Sequence, residues 1–239
     1  MAEMPVRRVV AEGFVIVVSI LLAFAIDAGW DTMQEAEERE SVLAALQADF
    51  SNTVAHLEQS HAMSVAALAA SDTLLAMLDG WTGSVEVPVA TVVNAIRPPT
   101  PDPPLGALQA LLSSGRLSLV GDEDLQAALA AWPAALADLQ TKGELGESFV
   151  YDRFLPLLSR QTEISSLIEG RMAQVMTTRT LDGLPTVEDR GTMTIPASDE
   201  VRGLLHERRL FATLLRGNNW LRAQDLLATI MEGLERTGG

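Results

Sequence analysis

The sequence predicts an all-α protein. An N-terminal transmembrane helix continues into a long helix, and that helix packs in a helical bundle. Three observations predict this. An uncharged apolar run, Gly13–Ile26, lies between Glu12 and Asp27. Apolar residues then recur at mixed three- and four-residue steps from Leu43 to Leu78, with no proline or glycine between Asp31 and Gly80. Alanine and leucine dominate the remainder, and aromatics are few.

The first element is the span. The uncharged run of 14 residues covers about 21 Å, short of the roughly 30 Å hydrocarbon core. Extended from Val9 to Trp30, the helix has 22 residues and reaches about 33 Å, enough to cross. Glu12 and Asp27 then fall near the two headgroup regions, where a carboxylate is tolerated, and Trp30 falls at interface depth. A cleaved signal peptide is the rival, because Arg7–Arg8, a short apolar run and Ala23-Phe24-Ala25 satisfy its loose pattern. The helical pattern continues past the run without a turn signal, which favours anchoring. Arg7 and Arg8 before the span, against Arg39 alone soon after it, predict a cytoplasmic N-terminus and a periplasmic remainder at a bacterial inner membrane.

One face of the span carries Glu12, Ser19, Ala23 and Asp27. These residues, with Trp30, are the candidate membrane and assembly positions. They read either as flank residues with two aligned small ones, or as a small-residue packing face for a second helix with a polar contact at Asp27. A proton-relay role for Asp27 is the remote alternative to an interfacial one.

Composition limits the partners. A formal net charge of −15 opposes nucleic acid, whose phosphates demand a basic surface, and disfavours docking on anionic headgroups. The chain has no cysteine, which is compatible with export but offers no disulfide framework.

Taken in order, residues 1–30 read as tail and transmembrane helix, and 31–82 as a long membrane-proximal helix reaching roughly 70 Å beyond the membrane. Its seam runs through Leu43, Leu46, Phe50, Leu57, Val65, Leu68, Leu75 and Leu78, to be buried within the chain or against another copy. Residues 83–104 read as a Pro-rich connector containing a short helix at Val89–Ile96 and the stretch PPTPDPP, 98–104, which cannot be regular helix. Residues 105–239 read as a bundle domain completed by the C-terminal helix. Within it, Leu105–Leu112 is a short helix ended at Gly115, and Asp122 caps the next. Pro133 should kink that helix or open a new segment. Gly143–Thr180 is helical with Pro156 inside, and Leu181–Ser198 is a loop. Ser198 or Asp199 caps a last helix reaching about Arg236.

Three stretches carry a family resemblance, the third of them, the last helix, only in character. In SILLAFAIDAGWDTMQEAEERESVLAALQADF, 19–50, the span ends in Ile26, Asp27 and Trp30 and passes directly into an acidic helix with Glu38, Arg39 and Glu40. In LLSSGRLSLVGDEDLQAALAAW, 111–132, a Ser-Gly-x-Leu turn precedes a helix. Together they resemble a widespread family of bacterial single-span membrane proteins known as a domain of unknown function. Members often show two consecutive tryptophans, or Asn in place of Asp; this chain has Gly29-Trp30. The resemblance covers about half the chain. It implies an anchored α-helical protein and supplies no activity.

A search for chemistry finds little. His56 and His61 are five apart and face different sides of a helix. Glu58-x-x-His61 has the spacing of half a di-iron site, but no second Glu-x-x-His exists. Nucleophile elbow, phosphate loop and dinucleotide fingerprint are all absent from the sequence. Ser113-Ser114-Gly115-Arg116 reads as a helix C-terminus rather than an anion site. Glu207, Arg208 and Arg209 read as a solvated, salt-bridged face. No catalytic, metal or cofactor residue is assigned, and no cofactor is called for. The expected function is non-enzymatic: assembly, scaffolding or sensing at the membrane, with the bilayer and either self-association or another membrane protein as partners. The alternative is a periplasmic small-molecule sensor of helical-bundle type, with a pocket around Trp132 and Pro156. An enzyme of unfamiliar type comes third.

Overall fold

The computed structural model describes residues 6–98, 101–161, 164–165, 167–169 and 191–238. Its spine is α1 (Val6–Leu78), one helix of 73 residues, about 110 Å long by rise. From Leu43 onward, all the buried side chains of α1 except Ala70 follow a seven-residue repeat. Leu43, Phe50, Leu57, Ser64, Ser71 and Leu78 hold one position, and Leu46, Thr53, Ser60, Ala67 and Leu74 the position three residues on; none is more than 7% exposed. This is the a/d geometry of a coiled coil, and the helices that cover it belong to the same chain. The expected register was misplaced after Leu57: Val65 is 40% exposed, and Leu68 and Leu75 are half-buried. The true register there runs through small and hydroxylated residues. Thr53, Ser64 and Ser71 return their hydroxyl protons to the carbonyls of Asp49, Ser60 and Ala67, at 2.9, 3.1 and 2.7 Å, so burial leaves them satisfied.

Two further columns lie on this spine. α4 (Glu123–Phe149) rises beside it. At its foot, Asp122 accepts the Leu125 N–H at 2.8 Å, as the capping pattern predicts. Pro133 starts no new segment; α4 runs through it. A π turn at Val150–Phe154 then leads into α5 (Leu155–Gln161). Pro156 has no N–H to give the preceding turn, and the wider turn just before it absorbs that mismatch.

The third column descends antiparallel to α1. Its upper part is α6 (Asp199–Leu214), capped by Ser198, whose hydroxyl accepts the Val201 N–H at 3.2 Å. Its lower part is α7 (Asn218–Gly238). The single last helix expected from the sequence is thus two, broken at 215–217. The descent is marked by contacts with α1. Arg202 donates to the carbonyl of Leu78 at 2.9 Å, Arg209 pairs with Asp72 at 2.6 Å, and Trp220 stacks on His61 at 4.8 Å between ring centres. Lower still, a Cβ at Gly233 would stand 3.0 Å from Leu125 Cβ, so only glycine lets α7 approach α4 this closely.

Between α1 and α4 the chain forms β1 (Ser84–Pro88), α2 (Val89–Ala95), α3 (Gly106–Ser114) and a 3-10 turn at Leu117–Val120. β1 pairs antiparallel with β2 (Thr192–Pro196), Val85 opposite Ile195 and Val87 opposite Met193. The connector and loop expected at these positions therefore contain a short strand pair in an otherwise all-α bundle. The part of the predicted loop at 181–190, and of the predicted helix at 170–180, lies outside the described residues. Two cores fill the bundle. The upper one joins Leu74 and Leu78 to α2, the strand pair, Phe149 and Phe154. The lower one joins Leu46 and Phe50 to α3, α4 and α7, with Trp132 meeting Phe50 edge to face at 5.7 Å.

Candidate membrane anchor and its junction with the bundle

Before Glu38, α1 leaves the bundle and keeps its helical form. Every side chain from 17 to 30 is exposed, including Leu21, Leu22, Phe24 and Ile26 at 60–66%. An exposed apolar surface on all sides of a helix calls for a non-aqueous surrounding. This helix is long and apolar enough to cross a membrane.

Glu12 lies on α1, and its side chain is outside the described residues. Ser19, Ala23, Asp27 and Trp30 are described and exposed. Ala23, Asp27 and Trp30 lie with Ile20, Phe24 and Ile26 along one open side of this single helix, a shallow notch to which no other described element contributes; Ser19 directly precedes Ile20. At 100° per residue, Asp27 stands about 160° around the axis from Leu43 and about 100° from Leu46. The notch therefore looks away from the side on which the bundle packs.

The junction is where the two sequence blocks meet. Glu38 forms an ion pair with Arg116, both partly exposed. The Arg39 guanidinium lies against Gly121, its Nη2 only 3.1 Å from where a Cβ would stand; with φ at +78°, that position suits glycine on both counts. About three turns further on, Asp49 Oδ2 accepts the Ala107 N–H at 2.7 Å and so satisfies the N-terminus of α3. Asp122, already the cap of α4, also pairs with Arg236 of α7 at 3.1 Å. Arg39, Asp49, Gly121 and Arg236 were missed by sequence reasoning. Only Gly121-Asp122 carried a local signal, a turn residue followed by a cap. Gly115 takes the left-handed conformation expected of a helix end, φ +69°.

The remaining candidates fall elsewhere. Among the described residues, no group of three or more His, Asp or Glu is placed to hold a metal ion. His56 and His206 are exposed, whereas His61 is half-buried against Trp220 and burial, then Arg216, lowers its pKa. Glu207 and Arg209 form ion pairs with Arg153 and Asp72, as a salt-bridged face should. Arg208 does not belong to that face. It is fully buried, donates from Nε to Ala95 O at 2.7 Å and from Nη2 to Arg97 O at 2.8 Å, and so closes the C-terminal end of α2. Burial pushes its guanidinium down to about 10. Trp132 is sealed in the lower core, while Pro156 lines a surface groove of about 410 Å³ with Arg153, Arg160, Glu200 and Glu207. The two do not share the pocket imagined around them.

No protein-family model, curated protein or solved structure matches the chain.

Proposed function

We propose that this chain is a non-enzymatic, single-span protein of the bacterial inner membrane, with its N-terminus in the cytoplasm and its bundle in the periplasm. It acts in assembly, scaffolding or sensing; the resemblance carried by 19–50 and 111–132 supports only the anchored, α-helical part of this reading. The supporting observation is the continuity of α1. The exposed apolar segment and the spine of the bundle are one unbroken helix, so any displacement or pairing of the span is delivered to the bundle without a hinge. The partners are the bilayer and a second membrane helix, either a copy of this chain or another protein.

The test is alkaline extraction combined with thiol labelling on this cysteine-free chain. The protein should stay with membranes, and Ala48→Cys, exposed on the bundle's spine, should react with an impermeant maleimide in intact spheroplasts. Release at high pH, or labelling only after lysis, would overturn the placement. The second reading, a small-molecule sensor, rests on the charged groove beside Pro156; a thermal shift with a metabolite, lost in Arg160→Ala, would favour it.

A further inference from the structure

We infer that the space between Arg208 and Gly146, where α6 meets α4 in the upper part of the bundle, is a buried site for a small monovalent anion, chloride being the commonest. The inference is independent of the anchoring reading. Arg208 is fully buried. Its Nε and Nη2 donate to Ala95 O and Arg97 O at 2.7 and 2.8 Å. Nη1, equally buried, has no hydrogen-bond partner among the described residues. No described carboxylate pairs with Arg208 either, since the ion pairs of α6 belong to Arg202, Glu207 and Arg209. Burial lowers its pKa and no neighbouring acid opposes that shift.

Arginine keeps its charge in a protein interior, so the charge itself has to be met. The two carbonyls at the end of α2 meet it in part, because a whole helix end carries only about half an elementary charge. A buried cation without a counter-charge is among the costliest groups a core can hold.

Gly146 supplies the room. It is buried on α4, and a Cβ there would stand 4.0 Å from Nη1 and 3.9 Å from Phe211 Cβ. Apart from its own stretch of α4, no other atom lies within 4 Å of that point. These are ordinary contact distances, so a methyl-sized group fits beside the unpartnered nitrogen. Chloride is of nearly that size, whereas sulfate is too bulky. Phe149, three residues on, packs against Phe211 with ring centres 5.2 Å apart and keeps the surroundings apolar. That lining favours an anion over water. A buried water wants about three polar partners, and Nη1 is the one polar atom that α6 brings within 4 Å of the point. An anion asks only for donors and positive charge, and it removes the imbalance that water would leave.

The full chain in a nonionic detergent tests this. It should melt about 3 °C higher in about 150 mM sodium chloride than in sodium gluconate of the same strength. Gly146→Ala fills the space, leaves both carbonyl bonds of Arg208 in place and suits a helix better than glycine. It should fold and show no difference between the two salts. Arg208→Met should lose the difference as well. The chloride magnetic resonance line should broaden with the native chain and stay narrow with Gly146→Ala. Equal melting of the native chain in both salts would overturn the proposal and leave water as the partner of Nη1. A chloride response of the same size in Gly146→Ala would also overturn it, because the ion would then act at another place on the chain.

Discussion

Residues 17–30 and 43–78 belong to one helix, with no break between them, and they present different surfaces. In the upper segment, eleven side chains on one seven-residue repeat are almost completely buried, and the other positions are half-buried or exposed apart from Ala70. In the lower segment nothing in the chain covers the helix, and apolar residues occupy every face. Backbone propensity does not explain the difference, since both are helix although 17–30 carries Val17, Val18, Ile20, Ile26 and Gly29 where alanine and leucine dominate 43–78. What differs is the angular width of the apolar surface. A stripe needs one set of neighbours; a full circumference needs a medium. The same distinction separates what holds the bundle together from what positions it.

The sharpest way to break that comparison is to make one change in each segment. Phe50 is fully buried against Trp132 in the lower core, and Phe50→Ala should cost the bundle about 3–5 kcal/mol. Phe24, 66% exposed, should be within about 0.5 kcal/mol of neutral for the bundle when replaced by Ala. Urea unfolding in mild detergent, followed by circular dichroism, measures both. Comparable losses would mean that the lower segment also packs on the bundle, and the division drawn here would fail.

A smaller effect should come from Arg208, which ties the third column to the end of α2. Arg208→Met keeps most of the volume and removes the donors to Ala95 O and Arg97 O. Leaving two buried carbonyls without partners should cost about 2 kcal/mol. The loss should be confined to the upper core, so hydrogen exchange should quicken in α2 and α6 and remain unchanged around Phe50. A near-neutral variant would show that water reaches these carbonyls and that Arg208 is not the latch of the upper core.

The features legible in the sequence are those whose cause is local. Asp122 and Ser198 were readable as caps because a side chain satisfies an N–H three residues on, and Gly115 because a left-handed helix end has one cheap occupant. The unbroken α1 was readable because nothing in it interrupts the backbone pattern. The seam beyond Leu57 was misread because hydrophobicity points to Val65 and Leu68, while close approach of the descending column selects Ser64, Ala67 and Ser71. That preference exists only once the partner helix is in place. The strand pair was missed for a similar reason: the three-residue alternation Val85-Glu86-Val87 means little until Met193 and Ile195 lie opposite. Arg208 looked like surface because its neighbours Glu207 and Arg209 are surface; its partners are carbonyls, which carry no side-chain signal. Ala23, Asp27 and Trp30 can be placed on one helix from the sequence alone, whereas Arg39 against Gly121 joins elements far apart in the chain.

The smallest of the expected effects concerns acidity and the point where the third column breaks. His61 is stacked on Trp220, the first large side chain of α7, and its buried Nδ1 has no hydrogen-bond partner. Desolvation, then the charge of Arg216, lowers its pKa below the ordinary 6.5. The unfolded chain therefore takes up the proton at a higher pH than the folded one. Stability from this site is fully present above about 6.5, declines as the pH falls below that value, and stops declining below the folded pKa. Partial exposure limits the loss through solvent screening, which places it last in this order. The measurement is the urea midpoint between pH 7.5 and 5 for the native chain and for His61→Phe, which keeps a ring on Trp220 and removes the titration. The native midpoint should fall further than that of the variant, with the added change appearing as faster exchange at the start of α7. Parallel curves would mean that the imidazolium is accommodated by the indole face, and that the break at 215–217 is insensitive to charge.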